Sequence, residues 1–121
     1  GWKMNKYSNK KTVVDGIQFD SKLESVRYGE LKILEKAKII TDLRLQVGFE
    51  LIPSYVKNGK KVQGIKYVAD FVYYDREKKK TVVEDTKGMK TDVFKIKKKL
   101  FEYKYKDLEI TEVYKEDIMK W

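Results

Sequence analysis

The chain contains no cysteine and no histidine, and the two absences remove much of the usual catalytic repertoire. Without thiols there are no disulfides and no thiolate metal sites; without imidazole there is no histidine-based zinc centre and no histidine acid–base chemistry. No apolar run approaches the roughly 20 residues of a membrane span, and no signal-peptide pattern opens the chain. A cytoplasmic protein with no membrane partner is therefore expected. No motif calls for an organic cofactor, and any chemistry is left to carboxylates, lysines and hydroxyl groups.

What the chain does have is positive charge. Lysine and arginine number 28 against 19 aspartates and glutamates, a net charge of +9. Such an excess points to a polyanionic partner, nucleic acid first. At 121 residues the length suits one domain with one core. Residues 1–11 are polar and lysine-rich without apolar period and read as a flexible basic tail; residues 12–121 read as a single domain.

Within that domain the pattern alternates between strand and helix. "TVVDGIQF" has β-branched runs on either side of Asp15-Gly16, a hairpin signal. From Ser21 an amphipathic helix is expected, with Leu23, Val26, Leu31 and Leu34 on one face. "LRLQVGFELI", "QGIKYVADFVYY" and "KTVVEDTKG" read as strands, the second preceded by the turn dipeptide Asn58-Gly59. Thr91 is the expected N-cap of a second helix with Val93, Ile96, Leu100 and Tyr103 as its apolar stripe, and "LEITEVY" closes as a strand. The expected fold is α/β, a mixed sheet flanked by helices in the order helix, three strands, helix, strand.

The acids in "VVEDTKG" raise the functional question. A hairpin centred between Glu77 and Lys78 puts Asp70 opposite Asp85, with Cβ atoms about 4.5 to 5.5 Å apart, where like charges are destabilising. Lys87 shares that face by the period of two, and Glu84 points away. The Asp70 strand has apolar residues on both faces, Val68 and Val72 on one and Tyr67, Phe71 and Tyr73 on the other, as in a strand covered on both sides. An acid there is costly unless paired or metal-bound. Oxygen-only ligation by Asp70 and Asp85 suits Mg2+, with Mn2+ as substitute. The alternative is that Lys87 neutralises one acid in a structural ion pair.

Together "YVADF" and "VVEDTKG" resemble the PD-(D/E)XK nuclease signature, an acid on one strand of a hairpin followed by acid-x-lysine on the next. Asp70, Asp85 and Lys87 match it; Ala69 stands where proline is usual, and Asp85 replaces the commoner glutamate. The likeness runs from about Phe19 to Tyr103 and is greatest to small phage nucleases, related to Holliday-junction resolvases and transposase endonucleases. It implies a restriction-endonuclease-like core and a metal-dependent endonuclease cutting DNA, branched or junction DNA in phage replication or recombination among the substrates, in a host's cytoplasm. It further implies metal ligation by Asp70, Asp85 and the Thr86 carbonyl, and water activation by Lys87.

The helix acid common in that superfamily matches Glu24, which is either a further ligand or the glutamate of a capping box with Ser21. Gln46 is a candidate accessory residue, and the remaining acids, Glu84, Glu30 and Glu35 among them, are expected to be solvated. Lys90, Lys95, Lys97, Lys98 and Lys99 form the expected phosphate-tracking face, with "KYSNKK" as an added basic arm. Cutting both strands calls for two active sites, so a symmetric dimer is expected. The competing class is a basic DNA- or RNA-binding protein whose acid pair is structural, and a nuclease acting on RNA is a further alternative.

Overall fold

Tight turns set the chain path. The computed structural model describes residues 11–118; the tail expected over residues 1–11, with its basic arm, lies outside them except for Lys11. Asp15 and Gly16 take φ of 53° and 75°, the left-handed pair a type I′ turn requires. They close a hairpin of β1 (Thr12–Val14) and β2 (Ile17–Phe19). The Ser21 hydroxyl accepts from the Glu24 amide at 3.1 Å and starts helix α1 (Lys22–Lys36). Lys38, with φ 62°, turns the chain into β3 (Ile40–Ile52). Asn58-Gly59, again left-handed at 51° and 76°, folds a second small hairpin, β4 (Tyr55–Lys57) and β5 (Lys60–Val62).

The long strand β6 (Ile65–Asp75) is followed by β7 (Lys80–Thr86). In the turn between them the Asp75 carboxylate accepts from the Glu77 and Lys78 amides, each at 2.9 Å. Thr91 caps α2 (Asp92–Lys104) by accepting from the Phe94 amide at 3.1 Å; β8 (Ile110–Val113) and a short α3 (Lys115–Ile118) end the described chain. The fold is mixed α/β. Its central sheet runs β3-β6-β7-β8, antiparallel except for the β7–β8 pair, which is parallel because α2 carries the chain back between them. No helix among the described residues is long and apolar enough to cross a membrane.

The helices cover opposite faces of the sheet. Tyr28 and Leu31 of α1 pack with Phe19, Ile40, Phe71, Tyr73 and Val82. Phe94 and Phe101 of α2 pack with Tyr67, Ala69, Val72, Val83 and Ile110. These two clusters correct two expectations. On β6, Tyr67 and Ala69 face α2 while Phe71 and Tyr73 face α1, so odd-numbered residues change face, which strict alternation forbids. The break falls at Asp70, and Val68 is exposed instead of covered. β3 breaks at the neighbouring position: Leu43 and Leu45 belong with the α1 cluster, Val47 and Phe49 with the α2 cluster, and Gln46 between them has φ 51°.

The second correction concerns α2. Val93, Ile96 and Tyr103 are exposed at 62%, 59% and 74%, and the buried face carries Phe94 and Phe101 instead. Aromatic rings bury more area than valine or isoleucine, and Phe101 sits between Phe49, Tyr67 and Tyr105 with ring centroids at 5.0, 5.5 and 5.1 Å. Phe101→Ala is therefore expected to cost about 3 to 5 kcal/mol, and Val93→Ala to stay within about 0.5 kcal/mol of the wild type. Urea unfolding of the two variants checks which face of α2 is the core face.

Candidate active site

β6 and β7 part at Asp70. Their ladder runs as far as the Phe71–Glu84 pair, and there the Thr86 amide and hydroxyl both donate to Asp70 Oδ2, each at 2.8 Å. A side-chain carboxylate thus takes the place of a backbone acceptor. β7 stays paired with β8 beyond that point, through Thr86–Val113 and the Lys87 amide, which donates to the Val113 carbonyl at 2.8 Å. The fork that results leaves Asp70 on one prong and Asp85 on the other.

Gln46 fills the gap on the β3 side. It lies between the paired positions Leu45–Phe71 and Val47–Ala69, and its left-handed backbone turns the side-chain amide toward two acids. Its Nε2 donates to Glu24 Oε2 at 2.8 Å and reaches Asp70 Oδ1 at 3.4 Å. Glu24 projects from the first turn of α1 and is buried. Its amide donates to the Ser21 hydroxyl as at a helix N-cap, while its carboxylate accepts from Gln46.

On the other prong Asp85 is also buried. Its Oδ2 accepts from the Tyr67 hydroxyl at 2.6 Å, and its Oδ1 lies 3.0 Å from Lys87 Nζ. The Lys87 ammonium stands 3.8 Å from the centre of the Phe94 ring, a cation–π contact that fixes the end of a flexible side chain. Phe94 is the residue whose amide the Thr91 cap holds, so the start of α2 positions the lysine.

The acids act on one another. Burial raises Glu24 from its ordinary 4.5 to about 7, and the charges of Asp70, Asp20 and Asp85 add to the shift against the Gln46 hydrogen bond. Burial also raises Asp70, and Asp85 raises it further, while the two bonds from Thr86 pull it down. Tyr67 is pushed up by burial and by Asp85. Among the described residues no three His, Cys, Asp or Glu side chains are arranged to hold a metal ion by themselves. Mg2+ does not need such a cage: one or two carboxylates suffice, with waters and phosphate completing its shell. Asp70 and Asp85 fit that requirement, since both offer oxygen and a cation would relieve the repulsion that raises Asp70.

Not every expected residue joins this group. Lys90 and Lys98 converge on Glu112, at 3.3 and 2.6 Å, and the Tyr114 hydroxyl donates to the same carboxylate. Burial pushes Glu112 up, but Lys98, Tyr114 and Lys90 together hold it down at about 2. Lys95 lies 3.8 Å from Asp92. Lys97 and Lys99 enter no ion pair among the described residues, so only two of the five expected phosphate-contacting lysines stand unneutralised.

Glu84 is not solvated but 1% exposed. Alternation on β7 turns it toward α1, where Arg27 Nε and Nη2 donate to it at 2.8 and 2.5 Å and the Tyr73 hydroxyl adds a third bond. Arg27 also bonds Glu30 at 2.9 Å, and Glu35 pairs with Lys32, so Glu30 and Glu35 are likewise paired at the helix surface. Arg27 sits three residues after Glu24, on the same side of α1. Its bidentate grip on β7 fixes the height at which α1 presents Glu24. The spacing of Glu24 and Arg27 was the available signal for this role.

A mixed α/β domain with a forked sheet and clustered carboxylates is thus the class that the fold and the site define. The chain belongs to the family described as protein of unknown function (DUF1064), whose profile matches residues 4–120. No curated protein and no solved structure matches it.

A pH prediction follows from Glu24. A carboxyl whose pKa is higher folded than unfolded binds its proton more tightly in the fold, so its contribution is fully present below 4.5 and is lost as pH rises through about 7. In metal-free buffer, stability is expected to fall across that window, and Glu24→Gln to flatten the fall, leaving the part due to Asp70. Urea midpoints measured at a series of pH values check it.

Proposed function

We propose that this chain is a metal-dependent endonuclease of the PD-(D/E)XK type, with a restriction-endonuclease-like core, that hydrolyses DNA phosphodiester bonds. The observation that carries the reading is the meeting of Glu24, Asp70 and Asp85, with Lys87 on Asp85, at a fork between strands. Asp70, Asp85 and the Thr86 carbonyl would hold Mg2+ or Mn2+, with Glu24 beside them. A divalent cation bound there supplies acidified water and a polarised phosphate.

The chain's own residues do the rest. Lys87 positions the attacking water and offsets the negative charge that builds on the phosphoryl oxygens as the new P–O bond forms and the leaving oxygen departs in line. Glu24, at about 7, can take a proton at its carboxylate near neutral pH. Tyr67 keeps its proton and holds Asp85 by donating to it. Branched or junction DNA, as in phage replication or recombination, is the substrate class we favour, cut by a symmetric dimer.

A second reading has an observation of its own. Each acid already has donors inside the protein, Asp70 from Thr86 and Asp85 from Tyr67 and Lys87, as a structural acid pair in a non-catalytic DNA- or RNA-binding protein would. RNA as the nuclease substrate is the remaining alternative, since phosphate contacts carry no base information. The proposal expects cleavage of plasmid or junction DNA with Mg2+ or Mn2+ and none with EDTA. Lys87→Ala is expected to bind DNA as before and to cut slower by a factor on the order of 100 to 1,000. DNA retardation that is indifferent to metal, with no product on DNA or RNA, favours the binder; a Lys87→Ala protein cutting at the wild-type rate removes the lysine from the mechanism.

A further inference from the structure

The second small hairpin has no part in the core. Residues 52–61 are exposed without interruption, among them Tyr55 at 49% and Val56 at 70%. Yet the hairpin is well tethered at its base. A Cβ on Gly64 would lie 2.2 Å from the Ile52 carbonyl oxygen, so the two feet approach as closely as only glycine permits, and the Gly64 amide donates to Ser54 Oγ at 3.1 Å.

Its charge is one-sided. From Leu51 to Ala69 the chain carries Lys57, Lys60, Lys61 and Lys66 and no acid. Lys57 pairs directly with Lys60 across the turn, and like charges in that relation are destabilising. None of the four enters an ion pair among the described residues. By the period of two, Tyr55, Lys57, Lys60 and Val62 share one face, and Val56 and Lys61 the other.

We propose that the β4–β5 hairpin is a duplex-binding arm that enters a DNA groove beside the cleavage site. The inference deepens the nuclease reading and rests on it for the choice of DNA. A polyanion relieves the Lys57–Lys60 repulsion that nothing described in the protein relieves. A two-stranded ribbon also fits the B-DNA major groove, about 12 Å wide. From Ile65 to Asp70, β6 spans about 17 Å at ~3.3 Å per residue, about five base steps at ~3.4 Å each, so one duplex can meet both the arm and the acids. An anionic bilayer is the poorer match: membrane-seated segments present Trp, Phe or Leu, whereas this tip reads Lys57-Asn58-Gly59-Lys60-Lys61.

The test compares wild type with Lys57→Gln/Lys60→Gln/Lys61→Gln, which should melt no lower than the wild type because all three side chains are exposed and the Lys57–Lys60 repulsion is removed. Binding to a fluorescent DNA duplex, to a single strand and to phosphatidylserine vesicles is measured in EDTA across a salt series. The triple variant is expected to bind duplex about 10-fold or more weakly, with the slope of log affinity against log salt shallower by about 2 to 3, and to lose less on the single strand. Unchanged duplex affinity and slope, an equal loss on single strand, a loss confined to vesicles, or a wild type that binds no duplex each overturns the arm. The two proposals fail separately. A wild type that binds duplex through the arm but never cuts with Mg2+ or Mn2+ supports the arm and refutes the nuclease; one that cuts, with a triple variant that binds and cuts equally well, refutes the arm alone.

Discussion

Carboxylates repel one another, and around the fork between β6 and β7 the charges of Asp70 and Asp85 both bear on Glu24. Much of the surrounding structure serves to hold this unfavourable group in place. Asp70 is kept where it is by two bonds from Thr86, which link β6 and β7 past the end of their backbone ladder. Gln46 gives up ordinary strand geometry to place its amide between Glu24 and Asp70. Arg27, by gripping Glu84 on β7, holds α1 down over the sheet so that Glu24 cannot swing away. A fold selected for stability alone would fill such a position with apolar side chains, because burying acids together is costly even when each is hydrogen-bonded.

Glu24, Asp70 and Asp85 gather at the fork. Among the described lysines that enter no ion pair are Lys57, Lys60, Lys61 and Lys66 on and beside the small hairpin, Lys97 and Lys99 on α2, and Lys78, Lys79 and Lys80 at the β6–β7 turn. Lysines close to the fork are already spoken for, Lys87 by Asp85 and Lys90 and Lys98 by Glu112. Glu112 is the neighbour of Asp85 in the β7–β8 ladder, so its pairing also keeps one more negative charge from acting freely beside the site.

Local chemistry was legible in the sequence wherever one or two residues decide the geometry. Asp15-Gly16 and Asn58-Gly59 dictate their turns, Ser21 and Thr91 their helix starts, and the turn after Asp75 sets the register that brings Asp70 and Asp85 to the fork. What was hidden depends on partners distant in sequence. Nothing near Gln46 announces a left-handed residue inside a long strand; only the need to face α1 on one side of it and α2 on the other explains it. Glu84 reads as a surface acid until Arg27 arrives from another element. The α2 stripe of Val93 and Ile96 and the Phe94–Phe101 face have comparable helical spacing, and the aromatic cluster of the sheet decides between them. The small hairpin is visible as Asn58-Gly59 in an acid-free stretch, but its exposure is a property of the whole fold.

The central claim is that the crowded carboxylates await a divalent cation. Calorimetric titration of Mn2+ near pH 7, repeated in buffers of different ionisation enthalpy, tests it most directly. Glu24 at about 7 is partly protonated there, and a cation seated beside it would expel that proton. The account predicts binding to the wild type with release of a fraction of a proton, a release that disappears in Glu24→Gln, and no binding to Asp70→Asn. Absence of binding to the wild type, with and without DNA, or equal binding to Asp70→Asn, would contradict it.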